Sequence, residues 1–398
     1  MSNNSYQCSP RSAPRTLPIR RHEDQKLKIG IITYHCIPNY GALLQAIALQ
    51  RFLKESGFHA QVIDYEPLPV FKQYIVSFAR SILQRNGGAI RRRLKHCYQF
   101  VREQQAASSG RYFRRSGLNE MAGSLDILIC GADELWNFRN PFGFNPSYIL
   151  DFGPKETLSR LSYAVSVGAF DPNHDESNWM KERLKYFTAA LVRDSETVRV
   201  VKNTGAGCPV EEVVDPIFLH SFPELIGSTI KEPYMVLTGG LSQAELKLVL
   251  DLADKLNLRA VALGYTYSGF STEWSGVSPY EWLYHLQRAC LIVSSLFHAT
   301  AFALKYEVPF YTFARPPKLR KLLGLLSPLG LESRLLCHDV DSDLLAADAF
   351  DIEFEGPSRL IHEMTERSKT KLIRLIRSHE ENTHGDKAED SERHAAGT

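Results

Sequence analysis

Short apolar runs rich in β-branched residues alternate with segments of helical spacing along most of this chain, and that alternation admits few folds. Lys28–Tyr34 (KIGIITY) reads as a buried strand. Residues 41–56 follow as a helix with Leu44, Ile47, Ala48, Phe52 and Leu53 near helical spacing, closed by Gly57, and Gln61–Tyr65 is the next strand. A β-α-β unit of this kind builds a parallel, doubly wound sheet. Further strands are expected at Asp126–Cys130, Ser159–Ser166, Ala189–Arg193 and Val210–Val214, with a helix around 177–186. A second alternation begins near Lys231, with strands at Tyr234–Leu237, Arg259–Leu263, Leu291–Ser294 and Val308–Phe313. Its helices fall at 242–256, 279–288, 297–305 and from Pro317 onward.

At 398 residues the chain exceeds one ordinary core. The expected fold is therefore α/β, with two Rossmann-like lobes facing a central cleft and ligands bound at the C-terminal ends of the strands. Residues 1–26, rich in Pro, Ser and Arg, read as a disordered leader. The first lobe spans 27–225 and the second 226–377, with a hinge at 223–233. The polar, charged stretch 378–398 reads as a disordered tail.

Residues 71–120 have helical character and carry Lys72, Arg80, Arg85, Arg91, Arg92, Arg93, Lys95, Arg102, Arg111, Arg114 and Arg115 against only Glu103 and Glu120. That excess favours an anionic surface, although a solvated helical face is the commoner explanation for such a run. Nucleic acid is not an expected partner, although the net charge of +2 says nothing strong about partners by itself. The seven cysteines form no Cys-x-x-Cys pair, which argues against a zinc knuckle or disulfide framework and for a reducing compartment. Cys36, Cys130 and Cys290 lie in or beside apolar runs and read as small core residues. No window approaches the roughly 18–20 apolar residues of a membrane span, and no signal peptide is evident, so a cytoplasmic protein is expected.

Five segments carry side chains suited to chemistry. Asn39-Tyr40-Gly41 lies between strand and helix, where a glycine lets backbone N–H groups approach an anion or sugar, or simply makes a tight turn. Asp133 and Trp136 follow a buried strand; the acid can serve as a base and the indole can stack on a sugar, or Asp133 can merely cap a helix. Arg193 ends an interior-type strand with its fork of donors. Ser295 and His298 sit between a strand end and an apolar helix, placing the imidazole in the first helical turn. Arg315 and Lys318 flank two prolines at another strand end and suit an anion.

Together these segments resemble the polysaccharide pyruvyl transferase family from about Lys28 to Leu335. The resemblance runs through NYGALLQAIALQRFL, VIDY, GADELWN, YILDF, SRLSYAVSVG, LVRD, VVDPIFL, SSLFHATAFAL, VPFYTF and PPKLRKLLGLLSPLGLESR, in order and near the expected spacing. It implies a two-lobed fold of the GT-B type and phosphoenolpyruvate as donor. It further implies a pyruvate ketal on two hydroxyls of one sugar, in exopolysaccharide or other cell-surface glycan synthesis. His298, Arg193, Lys318 and Asp133 fall on the family's histidine, arginine, lysine and aspartate motif positions. Two departures stand out: Ala299 replaces the glycine after the histidine, and Leu296 stands where Arg or Ser is usual.

On this reading Arg193 and Lys318 bind the donor, with Ser295 or Arg315 supplying the polar group that Leu296 cannot. His298 gives a proton to the methylene or to the leaving phosphate, and Asp133 takes one from the attacking hydroxyl or orients the sugar. The chemistry calls for no metal and no cofactor beyond the donor itself. The acceptor would be a sugar or a lipid-linked oligosaccharide, met through the basic stretch 71–120 at the inner membrane surface. A GT-B glycosyltransferase using a nucleotide sugar, or a non-catalytic relative, are the alternatives.

Overall fold

The inner apolar runs become strands because they are buried on both faces, as parallel sheets flanked by helices require, while edge strands such as Val210–Glu212 are partly exposed. A computed structural model describes residues 26–395 except 36–38, 84–86, 104–109, 141–142, 170, 224, 226, 228, 272 and 337–339. The expected leader, apart from Lys26, and Cys36 thus lie outside the described residues.

The first lobe runs β1 (Lys28–Ile32), α1 (Tyr40–Glu55), β2 (His59–Val62), α2 (Leu68–Leu83), α3 (Gly87–Glu103) and α4 (Arg115–Ala122). It continues with β3 (Ile127–Asp133), β4 (Ser159–Val165), α5 (His174–Leu184), β5 (Ala189–Val192), α6 (Ser195–Asn203) and β6 (Val210–Glu212). Its six strands form one parallel sheet in the order β2-β1-β3-β4-β5-β6. The second lobe runs β7 (Tyr234–Thr238), α7 (Gln243–Lys255), β8 (Arg259–Ala262), α8 (Pro279–Arg288), β9 (Leu291–Ser294) and α9 (Phe297–Lys305). It closes with β10 (Phe310–Phe313), α10 (Pro316–Leu326), β11 (Leu335–Leu336) and α11 (Ser342–Asp348). These five strands are also parallel, ordered β11-β10-β9-β7-β8. The expected pair of Rossmann-like lobes is present.

Helix α1 positions the cleft. Nearly every residue from Tyr40 to Leu53 is buried, because the helix is apolar all round and packs on both lobes. One continuous core joins Ile29 and Leu43 of the first lobe to Trp282 and Phe302 of the second. Tyr40 stacks on Trp282 with ring centroids 5.2 Å apart, and its hydroxyl donates to the Val277 carbonyl at 3.1 Å. From α3, Lys95 pairs with Glu281 at 2.7 Å and Arg92 donates to the Gly264 carbonyl.

Helix α12 (Glu355–Ala395) departs from the expected domain division. Its Ser368 accepts from the Val214 amide at 3.1 Å and its Lys371 pairs with Glu211, so it reaches back to the first lobe. It also includes 378–395, where polar composition alone predicts disorder. Extending an established helix needs no new nucleation, which lets a polar segment continue it. Among the described residues no helix is long and apolar enough to cross a membrane. Cys130 is buried as expected, whereas Cys290 is only partly so.

Candidate active site at the interlobe cleft

Strands β3, β5 and β9 end on the same cleft, where Asp133 and His298 line a cavity and Arg193 abuts it. A cavity of about 200 Å³ is lined by Asn39, Gly41, Asp133, His298, Lys318 and Lys321, with Tyr34, Trp282, Leu296 and Phe297 among its walls.

Asp133, the last residue of β3, has φ +76°, a left-handed backbone that aspartate tolerates better than most residues. Its Oδ1 lies 3.0 Å from Lys321 Nζ and 3.7 Å from Arg193 Nη1. Arg193 follows β5, is buried, and also pairs with Asp215 at 3.3 Å. Its guanidinium lies 4.8 Å from the Phe297 ring centroid, with Lys321 Nζ 4.3 Å from the same ring. The next residue, Asp194, turns away and caps α6 through the Thr197 amide at 2.8 Å.

His298 lies in the first turn of α9, a helix whose N-cap, Leu296, has no side-chain oxygen to satisfy the leading amides. Its Nε2 is 3.7 Å from Asp215 Oδ2, beyond hydrogen-bonding reach. Both His298 Nε2 and Arg193 Nη2 are buried without a hydrogen-bond partner among the described residues. Buried polar atoms normally find partners, so two orphans at one place mark a seat for a ligand.

The charges fix the protonation states. Burial pushes the His298 imidazole down to about 4, against the opposing pull of Asp215 and Asp133. Burial would raise the Asp133 carboxyl, but Lys321, Arg193 and His298 outweigh it and hold the group far below the ordinary carboxylate range. Arg193 rises despite burial because Asp133 and Asp215 face it. Lys318 is lowered, by burial first and by Lys321 second.

Several expected site residues have other duties. Trp136 is fully buried, donates to the Tyr148 carbonyl at 3.0 Å and packs on Phe187, so no sugar can reach it. Tyr40 is committed to the lobe interface described above. The Asn39 side chain accepts from the amides of Gly41 (3.0 Å) and Ala42 (3.4 Å), so it consumes the donors that the strand-to-helix turn would otherwise offer an anion. Ser295 donates its hydroxyl to the Gly240 carbonyl at 3.0 Å and does not line the cavity. Arg315 swings to the buried Glu245 of α7 and likewise leaves the cavity. His298, Asp133, Lys318, Asn39 and Gly41 line the cavity, and Arg193 abuts it through Asp133 and Phe297.

Sequence reasoning overlooked Lys321 and Asp215. Lys321 stands three residues after Lys318 on α10, a spacing that puts both on one helix face and was available to be read. Asp215 precedes a proline and reads from sequence only as a turn. It does cap that turn through the Ile217 amide (3.2 Å), while its other oxygen faces Arg193 and His298.

The sheets and cavity define a two-lobed α/β protein of the GT-B type with a cationic pocket in its cleft. The chain belongs to the polysaccharide pyruvyl transferase family, which matches residues 39–316. No curated protein sequence matches it. Among solved structures, one assigned as a UDP-N-acetylglucosamine 2-epimerase in Listeria monocytogenes has a TM-score of 0.51 at 10% identity, over 90% of this chain and 97% of its own. The UDP-N-acetylglucosamine 2-epimerase of Rickettsia bellii gives 0.49 at 10% identity, over 89% and 96%. Likeness at such identity concerns the fold alone.

Proposed function

We propose that the cleft binds phosphoenolpyruvate and transfers its pyruvyl group onto two hydroxyls of one sugar, forming a ketal in cell-surface glycan synthesis. The observation that carries this reading is the pair of orphaned buried nitrogens, Arg193 Nη2 and His298 Nε2, beside Lys318, Lys321 and an uncapped helix start. A donor bearing both phosphate and carboxylate needs several convergent cations and dipoles out of water, and this constellation supplies them.

In this mechanism an acceptor oxygen bonds to C2 of the donor while C3 takes a proton from His298. Phosphate then leaves with the C2–O bond electrons, and the carbon acquires oxocarbenium character. The second hydroxyl closes the ketal at C2. The first hydroxyl's proton returns to the imidazole and the second's goes to the departing phosphate, so protons balance. His298 is neutral in the free protein, and the arriving anion raises its proton affinity. The proton enters with the donor. Asp133, held strongly ionised by two cations, makes a weak base and instead fixes Lys321 and Arg193.

Thermal melting with phosphoenolpyruvate, beside nucleotide sugars, tests the reading, since a ligand bound only by the folded state raises Tm. A shift with phosphoenolpyruvate that Lys318→Ala diminishes supports it. A shift with a nucleotide sugar alone replaces it by a glycosyltransferase; binding without acceptor-dependent phosphate release makes the chain a non-catalytic relative.

A further inference from the structure

The α2–α3 pair exposes apolar side chains that no described part of the fold covers. On α2, Ile75, Val76, Ile82 and Leu83 are 51%, 58%, 52% and 84% exposed. Their spacing, i, i+1, i+7 and i+8, lays them along one helical stripe. On α3, Leu94, Tyr98 and Val101 are 60%, 68% and 59% exposed, at i, i+4 and i+7. A soluble helix hides its apolar stripe in the core; here the stripes face water, and sustained exposure of this kind marks an interaction surface. Of the helices' charged residues, Lys72, Arg80, Arg91, Arg92, Arg93, Lys95 and Arg102 are basic and Glu103 alone is acidic.

We infer that this helical pair docks on a lipid bilayer bearing anionic headgroups, with its apolar stripes seated among the acyl chains and the exposed Lys72, Arg80, Arg91 and Arg102 at the headgroup level. Apolar stripes on basic, acid-poor helices are the composition of elements that lie in a membrane interface, and the charge is complementary to anionic lipid. A protein partner or a second copy would satisfy the apolar surface but leave the one-sided charge unexplained. The pair also adjoins the cleft: Lys95 pairs with Glu281, Arg92 donates to Gly264, and His96 lies 2.9 Å from the His35 carbonyl. Docking through α2 and α3 would therefore hold the cavity close to the membrane plane. Such docking is independent of which reaction the cleft performs.

The test is co-sedimentation of the full chain with vesicles of phosphatidylcholine alone or mixed with phosphatidylglycerol, without donor or acceptor. The variants are Ile75→Asp/Leu83→Asp and Lys72→Glu/Arg80→Glu; both sites are exposed, and an unchanged melting curve verifies the fold. The expected result is binding to the anionic vesicles only, weakened roughly tenfold or more by either pair of substitutions. Absence of binding to anionic vesicles overturns the inference. So does binding that the Asp variant leaves unchanged, since the stripes would then be idle. A dimer of the wild-type chain that the Asp variant dissociates, with no vesicle binding, assigns the surface to a second copy instead.

Discussion

The His298 ring packs against the backbone of Gly41, so closely that a Cβ at position 41 would overlap the imidazole. The first-lobe helix α1 and the second-lobe helix α9 thus meet at a contact that requires glycine. Gly→Ala inside a helix ordinarily stabilises by about 1 kcal/mol. Here Gly41→Ala must push His298 aside, and overpacking costs roughly 1–3 kcal/mol. We expect a net loss of stability in urea denaturation and a loss of turnover on the order of 100-fold, the cost of misplacing a reacting group by about an ångström.

Arg193 lies buried between Asp133 and Asp215; its removal leaves the buried Asp215 without its cation, while Asp133 keeps Lys321. Arg193→Ala should destabilise the fold by about 3–5 kcal/mol, the usual cost of breaking a buried ion pair. Arg193→Lys keeps the charge but loses the planar fork. It should melt nearer to the wild type while binding phosphoenolpyruvate distinctly more weakly, which denaturation and calorimetry on the two variants would separate.

Lys321 and Arg315 provide a contrast between cations on one helix and at its cap. Lys321 lines the cavity whereas Arg315 serves Glu245. Lys321→Ala should weaken phosphoenolpyruvate binding roughly tenfold or more, as loss of a charged hydrogen bond does. Arg315→Ala should leave donor affinity close to wild type. Titrations of both variants check the assignment.

Three buried histidines make the fold sensitive to acid. Burial pushes His96, His285 and His298 each down to about 4 from an ordinary 6.5. Between those values the unfolded chain binds protons that the folded chain refuses, so stability falls as pH drops through this window and levels off below it as far as these groups are concerned. Each contributes a slope of at most about 1.4 kcal/mol per pH unit. Denaturant midpoints measured from pH 7 to 4 should decline, and His298→Gln should flatten the decline.

The parallel lobes were legible in sequence because their inner strands are buried on both faces and announce themselves as short apolar runs, many of them β-branched. Helix α1 was legible for the opposite reason, since its start and its Gly57 stop are local signals. Individual site roles were less so. Asp133, His298 and Lys318 reach the cavity because strand and helix ends direct them there, and spacing records such ends. Trp136 and Arg315 also follow strand ends, yet Tyr148 and Glu245, distant in sequence or on another element, draw them elsewhere. Local pattern carries no trace of such tertiary partners. Asp215 was hidden for a related reason, because its link to Arg193 and His298 joins three separate segments.

The most direct test of the central claim, that donor and proton enter the cleft together, is calorimetry of phosphoenolpyruvate binding in buffers of different ionisation enthalpy. At slightly alkaline pH the donor's own phosphate is fully ionised, so proton uptake reports the protein. Binding should take up a proton in the wild type, and this uptake should disappear in His298→Gln. Binding with no buffer-dependent heat, or uptake that survives the substitution, would contradict the claim.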